Sequence, residues 1–250
     1  MRRYSRILAR LHSTASILRG PAVDPSHIRY LAGEIASATD IGVQLAVALS
    51  SGQPSRFIQQ WGIRKTDFPA ILDLASVFHS LVLRSVLSVC TDRNVRVITS
   101  QPVWSATDPY TRLLARSHLD TGNILIFADD VDGGLQIDMR CVEKALDMGA
   151  KSVVIGFMDS AWNSKSGSGG VRDTLVKGQI LADYETLHYD DALFASTSLW
   201  SKDALASLQK HGIPVHLFNV DEPGSLRRIC QGNRAGIEIS SSPTTLRVVT

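Results

Sequence analysis

Three aspartates in the segment 129–138 have the chemistry to bind a cation. Asp129, Asp130 and Asp132 stand close together and are followed by a pair of glycines. Carboxylate oxygens are the ligands that calcium prefers, and a glycine permits the sharp turn that a calcium loop needs. The third ligand and the later glutamate of such a loop are missing, so the sequence favours another role for these acids.

The sequence lacks the motifs of several common active sites. It contains no GxxxxGK phosphate loop, no GxGxxG fingerprint, no HExxH zinc motif and no GxSxG turn. Its seven histidines are scattered, which is typical of single core or surface positions rather than of metal ligation. Cys90, Cys141 and Cys230 lie far apart with no CxxC spacing, which argues against a disulfide framework or a zinc site and fits a reducing cytoplasm.

Composition places the chain among ordinary globular proteins. It has 250 residues, of which 44% are hydrophobic and 20% charged, and this suits one large α/β domain or two small ones. The net charge of only +2 gives no indication of a nucleic-acid partner. No apolar run approaches the roughly 18 residues that a membrane span needs, so no membrane partner is expected.

Short apolar segments of the sequence predict β-strands. Most of them are continuously apolar, as expected of parallel strands that helices cover on both faces. Ligands bind beyond the carboxyl ends of such strands, which directs attention to the segments 12–19, 50–56, 129–138 and 159–172. The predicted strands are 5–11, 43–49, 95–98, 124–128, 152–157 and 215–220.

Capping residues predict helices between these strands, and the alternation favours an α/β fold with a mainly parallel sheet. The Asp-Pro pairs at 24–25 and 108–109 each suit a helix start, because aspartate accepts from unpaired N–H groups and proline fits the first turn. Pro69 begins a long helical pattern, and Ser201 can cap a shorter one. The predicted inward residues of the first and the long helix are Ile28, Leu31, Ile35, Ala38, Leu72, Ala75, Leu81 and Val82.

The N-terminal segment permits two interpretations. Five arginines, several serines and no acid give residues 1–20 the composition of an organelle transit peptide. Alternatively, residues 5–11 form the first strand, with Ile7 and Leu8 buried. The fold inferred from the rest of the chain requires this strand.

Four segments resemble motifs of one enzyme family. Residues 211–220 are similar to the strand K-L-P-I-x-V-F-N-M, and residues 223–229 to the helix P-G-x-L-x-R-V. Residues 184–193 are similar to Y-x-x-L-T-Y-x-E-V-L, and residues 5–11 to K-R-I-L-L-K-L. These motifs belong to the bacterial uridylate (UMP) kinases, which have the amino-acid-kinase fold, and the likeness covers nearly the whole chain.

The resemblance implies an α/β fold, a three-layer αβα sandwich with a mainly parallel central sheet. It implies a single amino-acid-kinase-like domain, 1–250, whose part at about 1–150 binds the acceptor nucleotide and whose part at about 151–240 binds ATP. The family transfers a phosphoryl group from ATP, with Mg²⁺, to UMP in the cytoplasm. A homohexamer is also implied, with the long helix after Pro69 in the interface.

The phosphate site that the resemblance implies combines positive charge with backbone N–H groups. Arg10 stands at the lysine of the family loop K-L-S-G-E and either contacts phosphates or extends its charged end to solvent. Gly52 and Arg56 keep one glycine and the arginine of G-G-G-N-x-x-R-G, although SSG after a strand is by itself an ordinary turn. Ser13 replaces a glycine and crowds the approach to phosphate. The residues implied for ATP are Arg10, Leu11, His12, Ser13, Gly52, Arg56, Asp159 and Trp162.

The uridine loop of the family, G-T-G-N-P-F-F-T-T-D, corresponds to a loop that is one residue shorter here. Its final aspartate is kept as Asp138, whereas the threonines and the aromatic pair are gone. Three other aspartates take their place, and carboxylates repel phosphate unless Mg²⁺ lies between them. The residues implied for UMP are Ser51, Asp130, Val131, Asp132, Gly133, Gly134, Leu135, Gln136 and Ile137. Those implied for catalysis are Arg10, Arg56 and Asp138.

The ATP loop of the family, T-K-V-D-G-V-Y, corresponds to residues 156–162. Asp159 is kept and Trp162 preserves an aromatic residue, but the lysine is lost. Trp162 either stacks on a base or packs in the core beside its strand. The Ser/Gly-rich stretch 163–170 is either a surface loop or a mobile lid.

The sequence therefore predicts a UMP kinase that uses ATP with Mg²⁺ and assigns no metal ligand in the protein itself. The lost glycines, lysine and aspartate leave a second hypothesis open, a catalytically impaired relative that acts as a nucleotide-binding or regulatory subunit. A third alternative is a kinase for an amino acid or a carbamate on the same fold. The Y-x-x-L-x-Y and F-N-x-x-x-P-G-x-L segments favour the UMP branch over it.

Overall fold

The computed structural model divides the chain into two compact units. The C-terminal unit comprises Met1–Leu8 and Leu135–Thr250, and the N-terminal unit comprises Ala9–Gly134. The single amino-acid-kinase-like domain stays a prediction. Among the described residues, no helix is both long and apolar enough to cross a membrane. The structure describes residues 3–12, 18–19, 22–23, 25–50, 68–100, 106–128, 137–162, 171, 174–195, 197 and 199–247.

The strands confirm the apolar segments of the sequence. Each of the six predicted strands is present within one residue of its expected bounds, and Ile7 and Leu8 of β1 are fully buried as expected. The strands are β1 (Arg6–His12), β2 (Leu18–Arg19), β3 (Ala22–Val23), β4 (Gln44–Ser50), β5 (Val95–Thr99), β6 (Asp108–Pro109), β7 (Ile124–Phe127), β8 (Ser152–Phe157), β9 (Leu175–Val176), β10 (Gln179–Ile180), β11 (Tyr184–His188), β12 (Val215–Asn219), β13 (Ile237–Ser240) and β14 (Thr245–Leu246).

Strand pairing is mainly parallel. In the C-terminal unit the order is β14-β11-β13-β12-β8, in which β8–β12 and β11–β13 are parallel while β12–β13 and β11–β14 are antiparallel. In the N-terminal unit the order is β1-β4-β7-β5-β6, and the pairs β4–β7, β5–β7 and β5–β6 are parallel. The prediction of an α/β fold with a mainly parallel central sheet is confirmed.

Helices alternate with these strands. The first begins at Pro25 as its Asp-Pro pair predicts, and its four expected inward residues are buried. Ser201 caps a later helix, since its Oγ accepts a hydrogen bond of 3.2 Å from the N–H of Ala204. The helices are α1 (Pro25–Asp40), α2 (Phe68–Cys90), α3 (Arg112–Asp120), α4 (Met139–Met148), α5 (Asp159–Trp162), α6 (Tyr189–Phe194), α7 (Lys202–Lys210) and α8 (Ser225–Gln231), with a 3₁₀ turn at Leu181–Asp183.

The inward face of α2 differs from the predicted one. Leu81 and Val82 are only partly buried, whereas Leu83 and Leu87 are fully buried together with Ser80 on the same face. Ser80 is a small polar residue that interrupts the apolar pattern of this face. A prediction from hydrophobicity alone therefore assigns the buried face of α2 to the wrong residues. The side chains at the other two predicted positions, Leu72 and Ala75, lie outside the described part of the chain.

The Asp-Pro pair at 108–109 does not start a helix, and that prediction is wrong. Asp108–Pro109 forms β6, which pairs in parallel with β5. Helix α3 starts at Arg112, where the Oγ of Thr111 accepts a hydrogen bond of 3.1 Å from the N–H of Leu114. The threonine therefore supplies the N-cap that the aspartate was expected to supply.

The residues before β1 pack within the C-terminal unit. Arg3 donates two hydrogen bonds of 2.8 Å to the carboxylate of Glu238 on β13. The hydroxyl of Tyr4 lies 2.9 Å from the Nε2 atom of His216 on β12. The chain that leads into β1 is thus held against two strands from the other end of the sequence.

Burial controls the protonation of His216. The residue is 5% exposed, and burial lowers its pKa from 6.5 to about 4, although the charge of Glu238 opposes the effect. Burial raises the pKa of Glu238 and is the largest single effect, but the hydrogen bonds from Arg3, together with charge interactions with His216 and Arg3 and a hydrogen bond from Ser240, outweigh it, so the net pKa is lowered. Near neutral pH, His216 is therefore neutral and Glu238 is ionised in the folded protein.

Acidification should destabilise the fold through His216. Because its folded-state pKa lies below 6.5, the unfolded chain binds a proton that the folded chain does not, and stability present above pH 6.5 is lost as the pH falls toward 4. At about 1.4 kcal/mol per pH unit, this residue lowers the free energy of unfolding by about 3 kcal/mol over that interval. Urea denaturation at several pH values measures the loss.

The variant His216→Gln isolates this contribution, since glutamine keeps a polar group for Tyr4 but does not titrate. It should lose the corresponding part of the pH dependence. His211→Gln, which changes an exposed histidine after α7, serves as the control and should keep it. An identical pH dependence in the wild type and in His216→Gln would show that burial does not hold this ring neutral.

Candidate functional site

The parallel strands β8 and β12 end side by side in the C-terminal unit. Phe157, the last residue of β8, is the register partner of Asn219, the last residue of β12. The N–H of Val220 donates to the carbonyl of Phe157 at 2.7 Å, which continues the pairing past both ends. Asp159 and Asp221 each come two residues after the end of their strand. Polar residues from two distant segments therefore meet at the carboxyl edge, where parallel α/β sheets bind ligands.

Asp159, Asn219 and Asp221 form a closed ring of hydrogen bonds. The Nδ2 of Asn219 donates to the Oδ1 of Asp159 at 3.1 Å, and the backbone N–H of Asp159 donates to the Oδ2 of Asp221 at 2.8 Å. The N–H of Asp221 donates to the Oδ1 of Asn219 at 3.0 Å. Only one orientation of the asparagine amide satisfies both of its bonds. The ring therefore fixes Asp159 relative to the end of β12.

The turn that follows the ring is anchored as well. The Oγ of Ser225, at the start of α8, donates to the carbonyl of Asn219 at 3.1 Å. Arg228 donates to the carbonyl of Pro223 at 2.9 Å and to the carboxylate of Glu222 at 2.5 Å. These hydrogen bonds connect the turn between β12 and α8 to both elements. The turn is therefore held in one conformation at the carboxyl edge, where a ligand would bind.

The carboxyl edge of β8 and β12 is acidic. The carboxylates of Asp159 and Asp221 repel a phosphate group unless a cation lies between them. Among the residues that the structure describes, no group of three or more His, Cys, Asp or Glu side chains is placed to hold a metal ion. A cation at this edge would therefore take most of its ligands from a bound molecule.

Trp162, on the one-turn helix α5, is buried in the C-terminal unit. It is 8% exposed, and its ring packs against that of Phe157 with 6.2 Å between the ring centroids. This packing is one of the two roles that the sequence leaves open. Stacking of Trp162 on a base stays a prediction, and the segment 163–170 lies outside the described residues.

Asp138 is the N-cap of α4. Its Oδ1 accepts a hydrogen bond of 2.9 Å from the N–H of Cys141. The preceding Ile137 is fully buried, and its N–H and carbonyl are bonded to Leu199 and Ser201 respectively, each at 2.9 Å. These contacts determine where α4 begins. A catalytic role for Asp138 and a contact of Ile137 with UMP stay predictions.

Two substitutions of Asp138 should distinguish its role as the N-cap of α4 from a catalytic role of its negative charge. Asp138→Ala removes the capping oxygen and should lower the free energy of unfolding by about 1 kcal/mol. Asp138→Asn keeps a capping oxygen without the carboxylate, so it should be as stable as the wild type and yet turn over at least about ten-fold more slowly. Urea denaturation and steady-state rates test both. Full turnover by Asp138→Asn would leave Asp138 with its capping role alone.

Arg10, in strand β1, is buried. Arg10 is 2% exposed, so the alternative in which its charged end reaches solvent is wrong. Leu11, the next residue, is 1% exposed, and His12 ends the strand. A charge at low dielectric attracts an anion more strongly than in water. The contact of Arg10 with phosphate stays a prediction.

The remaining predicted contact residues lie outside the described part of the chain. They follow β1, β4 and β7, and these strands are present as the sequence predicts. Their assigned roles stay predictions. These residues are Ser13, Ser51, Gly52, Arg56, Asp130, Val131, Asp132, Gly133, Gly134, Leu135 and Gln136.

Asn219 and Asp221 are site residues to which the sequence assigns no role. The local signal is an asparagine that ends an apolar strand, with an aspartate two residues further on. Their partner Asp159 is 60 residues away from Asn219 in the chain, a separation that no local pattern bridges.

Comparisons with known proteins find similar uridylate kinases. The chain is 31% identical over 252 residues to the uridylate kinase of Frankia casuarinae, which covers 97% of this chain and 93% of that protein. It is 30% identical to the uridylate kinase of Frankia alni, with the same coverage of 97% and 93%. The structure is similar to the crystal structure of UMP kinase from Bacillus anthracis, with a TM-score of 0.77, 27% identity, and coverage of 98% and 99%. No protein-family model matches the chain.

Proposed function

The chain belongs to the uridylate kinase family, and from that premise we propose that it transfers the γ-phosphoryl group of ATP to UMP. The products are ADP and UDP, which assigns the protein to pyrimidine nucleotide synthesis. The observation that carries the proposal is the 31% identity shared with a uridylate kinase over 97% of the chain. The ordered carboxyl edge of β8 and β12 supports it, because nucleotides bind at that edge of parallel sheets.

In this proposal, Arg10, Gly52 and Arg56 bind the transferred phosphates. Phosphoryl transfer needs little covalent chemistry from a protein and is accelerated by positive charge and N–H donors around the moving group. Two guanidinium groups supply that charge in a planar fork that matches phosphate oxygens. A glycine lets backbone N–H groups approach closely. The burial of Arg10 supports its assignment, since low dielectric strengthens its attraction for an anion.

Two further sets of residues would position the nucleotides. The ATP set includes Asp159, and its support is the hydrogen-bond ring that holds this residue at the carboxyl edge. The UMP set lies mainly in the segment 129–138, and Asp138 at its end would organise the side of the site away from the phosphate-binding residues. The other members of the ATP set are Leu11, His12, Ser13 and Trp162, and those of the UMP set are Ser51, Asp130, Val131, Asp132, Gly133, Gly134, Leu135, Gln136 and Ile137.

Mg²⁺ would enter with ATP rather than occupy a site built by the protein. Mg²⁺ commonly binds to substrate phosphates with one or two carboxylates and several waters. The described residues offer pairs of carboxylates such as Asp159 and Asp221 but no larger cluster. The ion supplies positive charge to the phosphates when it is bound. We assign no protein ligand to it.

The proposal includes a homohexamer in the cytoplasm, with α2 in the interface. Phe78 and Val89 of α2 are 54% and 88% exposed. They are about three helical turns apart and hence on one face of the helix. Exposed apolar side chains on one face are typical of a surface that another subunit covers.

The alternative is a catalytically impaired relative that binds nucleotides or regulates another enzyme. Specific substitutions favour it, since serines replace glycines at positions 13, 50 and 51. Each lost glycine removes space for a backbone N–H to reach phosphate. Loss of one transition-state donor can cost about 10²–10³ in kcat, so several losses would leave little activity.

Release of ADP tests the proposal. The full chain should release ADP from Mg-ATP when UMP is present, but release little with CMP or without an acceptor. Arg56→Ala should lower the rate by at least about ten-fold. Calorimetric titration with UMP and with ATP separates the alternatives. Binding of both without turnover would favour the regulatory relative, and neither binding nor turnover would remove both functions.

A further inference from the structure

The C-terminal unit contains a polar cavity that the proposed function does not use. Its volume is about 180 Å³, which is enough for several water molecules or one small organic molecule. It lies beside the second residue of β12, whereas the hydrogen-bonded ring follows the last. The lining residues that carry the argument are Arg3, Glu185, Thr186, His216, Arg234 and Glu238.

Three lining side chains stand in a row across the sheet. Glu238 on β13 is the register partner of His216 on β12 and of Thr186 on β11, so all three side chains point to the same face. The hydroxyl of Tyr4, 2.9 Å from the Nε2 of His216, fixes the orientation of the ring. The floor of the cavity is therefore a rigid polar surface with hydrogen-bonding groups.

Two guanidinium–carboxylate pairs stand around this floor. Arg3 donates two hydrogen bonds of 2.8 Å to Glu238, and Arg234 forms an ion pair with Glu185. The side chain of Arg234 is 85% exposed, so it can move without disturbing the core. The lining thus carries positive and negative groups in equal number.

Such a lining discriminates against ligands with one sign of charge. An anion would draw an arginine away from its glutamate and leave a partly buried carboxylate unpaired, which is unfavourable. A cation would leave a guanidinium unpaired for the same reason. A molecule that carries both an ammonium and a carboxylate gives each protein group a new partner and leaves none unpaired.

We infer that this cavity binds a small zwitterion, a molecule of amino-acid size with one ammonium and one carboxylate group. The ammonium group lies against Glu185 and Glu238. The carboxylate lies against Arg234 and Arg3. The hydroxyl of Thr186 completes the polar surface beneath it.

A ligand held there links segments that are distant in the chain. The N–H of Arg3 donates to the carbonyl of Cys230 at 2.8 Å, at the end of α8. A Cβ at Gly232 would lie 3.0 Å from the Cβ and Cδ of Arg3, so a glycine lets Arg3 lie close over this turn. Contacts to Arg3 and Glu185 would join the N-terminal segment and this turn to β11. Binding therefore stabilises the folded protein.

The probes are three compounds with four carbon atoms each, namely γ-aminobutyrate, succinate and putrescine. They carry a zwitterionic, a doubly negative and a doubly positive pair of end groups on chains of the same length. At about ten times its dissociation constant, γ-aminobutyrate should raise the melting midpoint of the full chain by about 4 °C. Succinate and putrescine should leave the midpoint unchanged at the same concentration.

Variants assign the effect to the cavity. Arg234→Ala should fold, because the side chain of Arg234 is 85% exposed, and Glu185→Gln should fold, because glutamine keeps the shape of the side chain. Both should lose the shift with γ-aminobutyrate. Glu143→Gln removes an exposed carboxylate on α4 and should keep the shift. An equal shift with all three compounds, no shift with any, or a full shift in Arg234→Ala would each overturn the inference.

Discussion

Gly236→Ala should lower the free energy of unfolding by at least about 3 kcal/mol. Gly236 has φ +73°, and a Cβ there would lie 1.9 Å from the carbonyl oxygen of Leu217 and 2.9 Å from the Cα of Phe218. Both contacts are with the backbone of β12, so no side-chain rotation relieves them. The strands β12 and β13 would have to separate where they pair, and pairing holds both strands in the sheet.

Gly178→Ala is the matched control for this prediction. Gly178, in the turn between β9 and β10, has φ +81°, and no atom lies within 4 Å of an added Cβ. Its substitution should therefore cost only the strain of a left-handed backbone, about 1 kcal/mol. Urea denaturation of both variants gives the comparison. Equal losses would mean that backbone strain alone, and not the overlap with β12, determines the cost at Gly236.

The strands that the sequence predicts correctly are those buried along most of their length. Ile124–Phe127 and Ser152–Phe157 have no exposed residue, so each forms a continuous apolar run between polar segments. A strand covered on both faces leaves a pattern that needs no knowledge of its neighbours. This explains why the central part of the fold follows from the sequence.

Strand β11 does not follow from such a pattern. Tyr184–His188, which forms β11, carries partly exposed polar residues and no apolar run. It is a strand because β13 and β14 pair with its two edges, and those strands come much later in the chain, at Ile237–Ser240 and Thr245–Leu246. The resemblance marks the segment as a motif of the family without giving its conformation.

The candidate site is predictable in position but only partly in geometry. Parallel strands predict that ligands bind at their carboxyl ends, and the family motif assigns Asp159 to that edge. The ring with Asn219 and Asp221 depends on a long-range register that the sequence does not reveal. Asp138 and Trp162 match motif positions too, but the structure also gives them a cap and a core contact, which alignment cannot distinguish from contact with a ligand.

Arg10→Ala should lower kcat/KM for phosphoryl transfer by about 10²–10³, because it removes one positive group from the proposed phosphate site. Arg10→Lys restores the residue that the family has at this position and should keep kcat/KM within about ten-fold, since the charge remains while the fork geometry is lost. Arg29→Ala, which removes an exposed arginine on α1, should leave the rate unchanged. Initial rates with varied ATP and UMP measure all three.

Stability has to be measured in parallel, because Arg10 is 2% exposed and its truncation leaves a cavity. A purely structural role predicts that the melting midpoint and the activity of Arg10→Ala fall together, and that any molecules still folded turn over normally. A role at the phosphates predicts lost turnover in protein that remains folded, with rescue by lysine because the phosphates respond to charge. Normal turnover per folded molecule of Arg10→Ala would show that Arg10 does not act at the phosphate site and that its role is structural.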